Sequence, residues 1–220
     1  FDVCITTDNF SVEKYRAIGQ ENIILSQWAS LPSKVEYEGV SYKYDISFIG
    51  GSNYYRKWFV KELKKRGLEV HCFGSGWENG RVSYEEMEYI FSNSKVNLNI
   101  SNSIQYDARY LFSNPMNILH TLINKKNCSQ IKARNFEIPV CGGFELAEFV
   151  PELGKYFKID KDIVCYKDID EAELLINYYL DNDFERESIK ISGVEKSRKR
   201  HTFYHRVISF MEKIHEIYDR

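Results

Sequence analysis

The residues from Ser129 to Phe144, SQIKARNFEIPVCGGF, gather groups able to hold an anion and a sugar within one short stretch. Ser129 is placed to cap a helix, Lys132 and Arg134 then fall near its start, and the carboxylate of Glu137 follows about two turns along. Cys141-Gly142-Gly143 turns the chain into a strand afterwards. A helix N-terminus with two cations suits a diphosphate, and Glu137 can accept hydrogen bonds from ribose hydroxyls about one sugar away. Gln130 and Ile131 belong to the same candidate site. Upstream, an apolar run from Tyr44 to Ile49 enters Gly50-Gly51-Ser52-Asn53 and then a helical pattern carrying Arg56 and Lys57. Such a turn either aims backbone N–H groups at a phosphate or is simply tight, with Arg56 in solvent. It is neither the three-glycine dinucleotide fingerprint nor a Walker loop. A second glycine cluster, Phe73-Gly74-Ser75-Gly76-Trp77, leads to Gly80-Arg81-Val82. These are either loops needing positive φ angles or a rim against which a nucleoside packs.

Metal chemistry finds little support. His71, His120, His201, His205 and His215 lack partner carboxylates or cysteines at ligand spacing, and His201 with His205 stands at i, i+4 without the Glu and third ligand of a zincin. His201 therefore reads as structural. The 5 cysteines, Cys4, Cys72, Cys128, Cys141 and Cys165, form no C-x-x-C pair and are odd in number, which points to a reducing compartment without structural zinc.

The elements that must position these groups alternate apolar runs with amphipathic stretches, the pattern of a parallel α/β sheet. Strands are expected at residues 2–7, 22–26, 44–50, 68–73, 95–100, 142–147 and 163–166. Tyr55, Trp58, Phe59 and Leu63 recur at helical spacing, as do Tyr84, Met87, Ile90 and Phe91. Ser83 with Glu86, and Asp168 with Glu171, predict capping boxes. The run Val96-Asn97-Leu98-Asn99-Ile100 alternates apolar residues with asparagine, so one face of that strand is wet or its amides are bonded inside. Residues 101–127 read as an insertion with one short helix. In the last helix Phe203, Val207, Phe210, Met211, Ile214 and Ile217 form a stripe expected to pack on the body, and Lys196-Ser197-Arg198-Lys199-Arg200 reads as a solvated helix end. Periodicity lapses around Pro32 and Gly39, which marks a boundary.

With 220 residues, 43% hydrophobic and 28% charged, the chain is long enough for one full domain plus a remnant of another, and too apolar for disorder. The 30 Lys+Arg against 32 Asp+Glu leave a net charge of -2, which gives no global support for binding nucleic acid or an anionic membrane. No apolar run approaches the roughly 18 residues of a membrane span, and no leader pattern opens the chain, so a cytoplasmic location is expected. The chain begins with Phe1 rather than Met, consistent with an N-terminus cut away or never included.

Taken in order, Phe48-Ile49-Gly50-Gly51 with Arg56, Phe73 to Trp77, Gln130 to Glu137 with Cys141-Gly142-Gly143, and His201-Thr202 with Arg206 resemble the spore-maturation CgeB-like branch of glycosyltransferase group 1 proteins. The resemblance spans roughly Tyr44 to Arg206. It implies a Rossmann-like parallel sheet flanked by helices, the C-terminal, nucleotide-sugar-binding half of a GT-B enzyme. Asp2 to Asp8, Tyr15 and Gly19 similarly look like the end of the acceptor-binding half. Residues 1–33 are thus expected to be a remnant of that half with its linker, and 34–220 the donor domain. Glu137 and Glu145 mimic the family's Glu-x7-Glu pair, yet the Cys-Gly turn follows Glu137, which makes Glu137 the ribose-binding member. The other member then falls on Ser129, which cannot play the charged role, and Glu145 inherits no role.

The implied reaction is a metal-independent, retaining transfer from a nucleoside-diphosphate sugar to an acceptor the sequence does not identify, with no cofactor. Arg56, Lys132 and Arg134 would stabilise the leaving diphosphate, while Gly50, Gly51, Gly74, Gly76, Trp77, Arg81, Val82, Ser129, Gln130, Ile131 and Glu137 would bind the nucleotide. Two rivals are a non-catalytic nucleotide-sugar-binding module and a dinucleotide-dependent oxidoreductase, the latter disfavoured by the incomplete glycine fingerprint.

Overall fold

The computed structural model describes residues 2–101, 107–123 and 130–219. A small parallel pair comes first, β1 (Cys4–Thr6) and β2 (Ile23–Leu25), joined by α1 (Asn9–Ala17). The main sheet holds β3 (Tyr44–Ile49), β4 (His71–Phe73), β5 (Ser94–Asn99), β6 (Glu145–Glu148) and β7 (Val164–Tyr166), all parallel in the order β4-β3-β5-β6-β7. Every strand expected from the sequence is present, most of them shorter than the apolar run that signalled them.

Helices cover both faces, as a parallel sheet requires. On one face α2 (Tyr54–Lys65) and α7 (Ile169–Asp181) bury Tyr55, Trp58, Phe59 and Leu63, and Ile169, Ala172 and Ile176, against Phe48, Leu98, Leu146 and Tyr166 of the sheet. On the other, α3 (Tyr84–Ser92) packs Met87, Ile90 and Phe91 with Ile49, Ile138 and Cys141. Burial of such side chains contributes about 1.5–3 kcal/mol each before chain entropy is counted. Ser83 and Glu86 form the expected capping box. Asp168 caps α7, but Glu171 accepts from the Lys167 N–H, one residue earlier than a capping box requires.

The alternating asparagines of β5 are bonded inside, Asn97 fully buried and Asn99 at the end of the strand that borders a cavity. Asn97 accepts from Ser47 Oγ at 2.9 Å and donates to the Phe91 and Phe144 carbonyls at 3.0 and 3.2 Å. Such bonding offsets the cost of placing an amide in the core.

Four expectations are corrected. The insertion carries two described helices, α4 (Ala108–Ser113) and α5 (Pro115–Ile123), because Asp107 caps the first and Pro115 opens the second. The helix read from Ser129 begins later, as α6 (Arg134–Val140), so Glu137 stands in its first turn, and Ser129 lies outside the described residues. With only 7 residues, α6 offers a much smaller dipole than a long helix would. The end of α8 (Asp183–Arg200) is not simply solvated: Lys196 pairs with the Asp162 carboxylate at 2.6 Å, and Arg198 donates to the Val140 and Val35 carbonyls. Last, α9 (Phe203–Tyr218) buries no residue, and its Phe203, Val207 and Met211 are exposed. Its C-terminal part instead lines a groove with β2, through Lys213, Glu216 and Ile217. Periodicity identifies a stripe but not what lies opposite it.

The linker is tied to the body at several places, Val35 and Tyr37 by their carbonyls to Arg198 and Lys190 of α8, and Ser30 at the start of α9. Ser30 bridges to Thr202 in parallel, its N–H donating to the His201 carbonyl at 3.1 Å and its carbonyl accepting from the Phe203 N–H at 2.9 Å. Arg206 adds a bond to the Trp28 carbonyl at 3.1 Å. Beneath this junction His201 is packed among Phe136, Tyr156 and Phe157, and burial with Arg206 alongside pushes its pKa down to about 4.

Candidate functional site

In an open parallel sheet, ligands bind beyond the carboxyl ends of the strands where the strand order reverses. Here the chain runs outward from β3 to β4 and then returns past β3 to β5, so the reversal lies between the ends of β3 and β5. An open cavity of about 270 Å³ sits there, lined by Ile49 at the end of β3 and Gly50 after it, Arg56 of α2, Asn99 of β5, and Lys132, Ala133, Arg134 and Glu137.

Arg56 is fixed before any ligand arrives. Asn53 caps α2 by accepting from the Arg56 N–H. The guanidinium donates from Nε and Nη2 to the Ile100 carbonyl at 3.0 and 2.6 Å, and from Nη1 to the Gly51 carbonyl at 2.8 Å. It also lies over the Phe48 ring. Burial lowers its pKa to about 10, which leaves it charged at neutral pH. The sequence alternative of a solvated Arg56 is thereby set aside: it braces the two strand ends that form the cavity.

Opposite, Arg134 donates from Nε to the Ile49 carbonyl at 2.9 Å, stacks over Phe91, and pairs with the Glu137 carboxylate. The sequence assigns Arg134 to a diphosphate and Glu137 to a ribose; the structure pairs the two with each other across one turn of α6. Lys132 holds its Nζ 2.9 Å from the Gln130 Oε1, and its backbone N–H donates to the Asn135 Oδ1 at 2.9 Å. Asn135 in turn donates to Glu145 Oε1 at 2.9 Å, and so does Asn99 from the other side.

The two glycine loops pack on each other. Gly74, at a φ of +121°, leaves no room for a Cβ, which would stand 2.4 Å from the Gly50 carbonyl oxygen, and a Cβ on Gly76 would stand 2.1 Å from Ser52 Oγ. Trp77 donates its indole N–H to the Gly50 carbonyl at 2.8 Å and meets Phe48 edge-on. Gly74, Gly76 and Trp77 therefore support the Gly50 turn from behind and are not among the cavity-lining residues. Nor are Gly51, the exposed Arg81, or Val82, which packs with the α3 cluster. Gln130 and Ile131 line a separate small cleft with Asp8, Phe10, Gln27 and Tyr156.

The structure thus brings together Gly50, Arg56, Lys132, Arg134 and Glu137. It adds Ile49, Asn99 and Ala133, of which Asn99 had a sequence signal in the odd alternation of its strand. Among the described residues no group of three or more His, Cys, Asp or Glu side chains is placed to hold a metal ion. Among them, too, no helix is long and apolar enough to cross a membrane.

Residues 56–212 match a family model described as glycosyl transferase-like. No curated protein sequence matches the chain. Among solved structures, S. aureus TarM in complex with fondaparinux, α-GlcNAc-glycerol and UDP is similar with a TM-score of 0.65 at 11% identity, over 100% of this chain and 44% of that one. Anabaena HepE in complex with UDP-glucose gives 0.66 at 9% identity, over 98% of this chain and 64% of that one. The pneumococcal O-GlcNAc transferase GtfA with UDP and GlcNAc gives 0.59 at 10%, over 100% and 46%. These relatives have the GT-B fold, and the chain spans only 44% to 64% of their length.

Proposed function

Since the chain belongs to the glycosyl transferase-like family, we propose that it is the donor-binding part of a glycosyltransferase of the CgeB-like branch, with residues 34–220 holding a nucleoside-diphosphate sugar and residues 1–33 belonging to the acceptor half. The observation that carries this reading is the cavity at the strand-order reversal, where Arg56, Lys132, Arg134 and Glu137 converge.

As the bond from the anomeric carbon to the diphosphate breaks, negative charge builds on the leaving oxygens. Arg56 and Arg134 present guanidinium groups already anchored to the Ile100, Gly51 and Ile49 carbonyls, so little reorganisation is needed when that charge appears. Lys132 supplies a third positive charge from the same wall. In this reading these cations supply the charge a divalent ion supplies elsewhere, and the transfer is metal-independent and retaining. Glu137 uses one carboxylate oxygen on Arg134 and offers the other to the ribose hydroxyls.

The relatives solved with UDP or UDP-glucose suggest uridine diphosphate as the first ligand to try. A thermal-shift series with UDP, GDP, ADP, dTDP, CDP and NAD(H), with and without EDTA, tests the reading, because a ligand of the native state raises Tm. One nucleoside diphosphate should raise Tm with EDTA present; a shift with NAD(H) alone would replace the transferase reading by the oxidoreductase one. A second reading, a binding module without turnover, rests on the same cavity and its anchored cations. Binding of UDP-glucose without release of UDP, even with acceptor mixtures, would establish it.

A further inference from the structure

Glu145 opens β6 with its side chain 1% exposed. Its Oε1 accepts from both Asn99 Nδ2 and Asn135 Nδ2 at 2.9 Å, while its Oε2 has no hydrogen-bond partner among the described residues. Leucine or isoleucine would fill such a place in a parallel strand without the cost of burying a carboxyl. We propose that Glu145 is a positioning residue for the diphosphate cavity, one carboxyl oxygen holding Asn99 on the β5 wall and Asn135, whose Oδ1 fixes the Lys132 backbone N–H, on the other. This rests on the nucleotide reading of the cavity.

Both amides depend on that oxygen. Without it Asn99 Nδ2 and Asn135 Nδ2 lose buried acceptors, and the Asn135 side chain is released to turn away from Lys132. The protonation state of Glu145 also matters. Burial raises its pKa to about 8, against the opposing effect of the two amide bonds, so the carboxyl is neutral at pH 7 and adds no negative charge behind an anion site. The titratable group that interacts with it is Cys165 on the neighbouring β7, whose thiol burial pushes upward, while Lys132, Arg134 and Glu137 line the cavity beyond the two asparagines. As pH rises through about 8 the carboxyl ionises and repels the diphosphate, whereas Gln at this position keeps an acceptor for the amides and never ionises.

The test measures UDP binding by calorimetry from pH 7 to pH 9 for the wild-type chain, Glu145→Gln and Glu145→Leu, together with NMR of the Asn99 and Asn135 side-chain amides without ligand. The expected results are a loss of about tenfold or more in Glu145→Leu at pH 7, rescue by Glu145→Gln, and a decline above about pH 8 in wild type that Glu145→Gln lacks. In the unliganded wild type both amides should titrate together near pH 8, and in Glu145→Gln neither. If Glu145→Leu fails to fold, the pH profiles of the other two proteins decide alone. Equal affinity in a folded Glu145→Leu, or identical pH profiles for wild type and Glu145→Gln, overturns the positioning role. A wild type whose amides titrate but which binds no UDP overturns the ligand reading itself, and reduces Glu145 to a core residue.

Discussion

Arg134 and Glu137 are ion-paired across one turn of α6, and Arg134 is at the same time hydrogen-bonded to the Ile49 carbonyl at the end of β3. If the cavity takes a nucleotide as proposed, Glu137 has two partners to serve. In the proposed reading it holds the guanidinium that would face the diphosphate and offers its second oxygen to the ribose.

Removing that carboxylate should weaken both interactions. Glu137→Ala is expected to lose about 1–3 kcal/mol of UDP binding with the fold intact. Arg134→Ala and Lys132→Ala should lose more affinity for UDP than for uridine, since only the former has the diphosphate. Calorimetric titration of both ligands checks this. Equal losses for UDP and uridine would show that the fold, not the phosphate contact, was damaged.

Arg56 should matter even to the unliganded protein. Its fork satisfies the carbonyl of Ile100, a residue with 0% exposure, so Arg56→Ala leaves that acceptor unpaired. Urea denaturation without ligand should show a loss of about 1–3 kcal/mol. Arg56→Lys restores charge without the planar fork and should recover little of it. Unchanged stability in Arg56→Ala would mean the guanidinium is reserved for ligand alone.

Gly74→Ala should act through the same place. The new methyl meets the Gly50 carbonyl oxygen from a backbone conformation that L residues rarely adopt. A destabilisation of about 1–3 kcal/mol is expected, with weaker UDP binding because the Gly50 turn is displaced. Thermal melts and titration on the same sample read both effects, and a variant with wild-type Tm would contradict the packing of the two loops.

The buried His201 predicts acid sensitivity. Its folded pKa of about 4 lies below the ordinary 6.5, so between these values the unfolded chain binds the extra proton. The stabilising contribution is complete above about pH 6.5 and is lost progressively as pH falls toward 4. Between pH 7 and pH 5 the wild type should lose roughly 1–2 kcal/mol more than His201→Gln in denaturant titrations. Parallel curves for the two proteins would dismiss this contribution.

What the sequence made legible were features that repeat along the chain. Every strand was announced by its apolar run, and the Ser83–Glu86 box by its spacing. The start of α6 was not, because Ser129 is a good cap by type, whereas the N–H of Lys132 is satisfied by Asn135, a residue inside the helix. Arg56 and Arg134 were recognisable as cations near a turn, but the Ile100 and Ile49 carbonyls to which their Nε atoms donate lie 44 and 85 residues away in sequence. The same distance hides Glu145. Its neighbours in sequence mark it only as part of a strand, and its two amide partners come from β5 and α6.

The bridge between Ser30 and Thr202 has a mechanical meaning. Two chain crossings fastened to each other resist relative rotation more than two free ones would, and here one bridge fastens them. The chain leaves the small β1-β2 sheet past Ser30 and returns toward it along α9 past Thr202, with Arg206 pinning Trp28 beside the crossing. Any displacement of the small sheet against the main one would have to break or stretch these bonds, and the cleft lined by Asp8, Phe10, Gln130 and Tyr156, which draws on residues from both sides of the crossing, is held to the same extent.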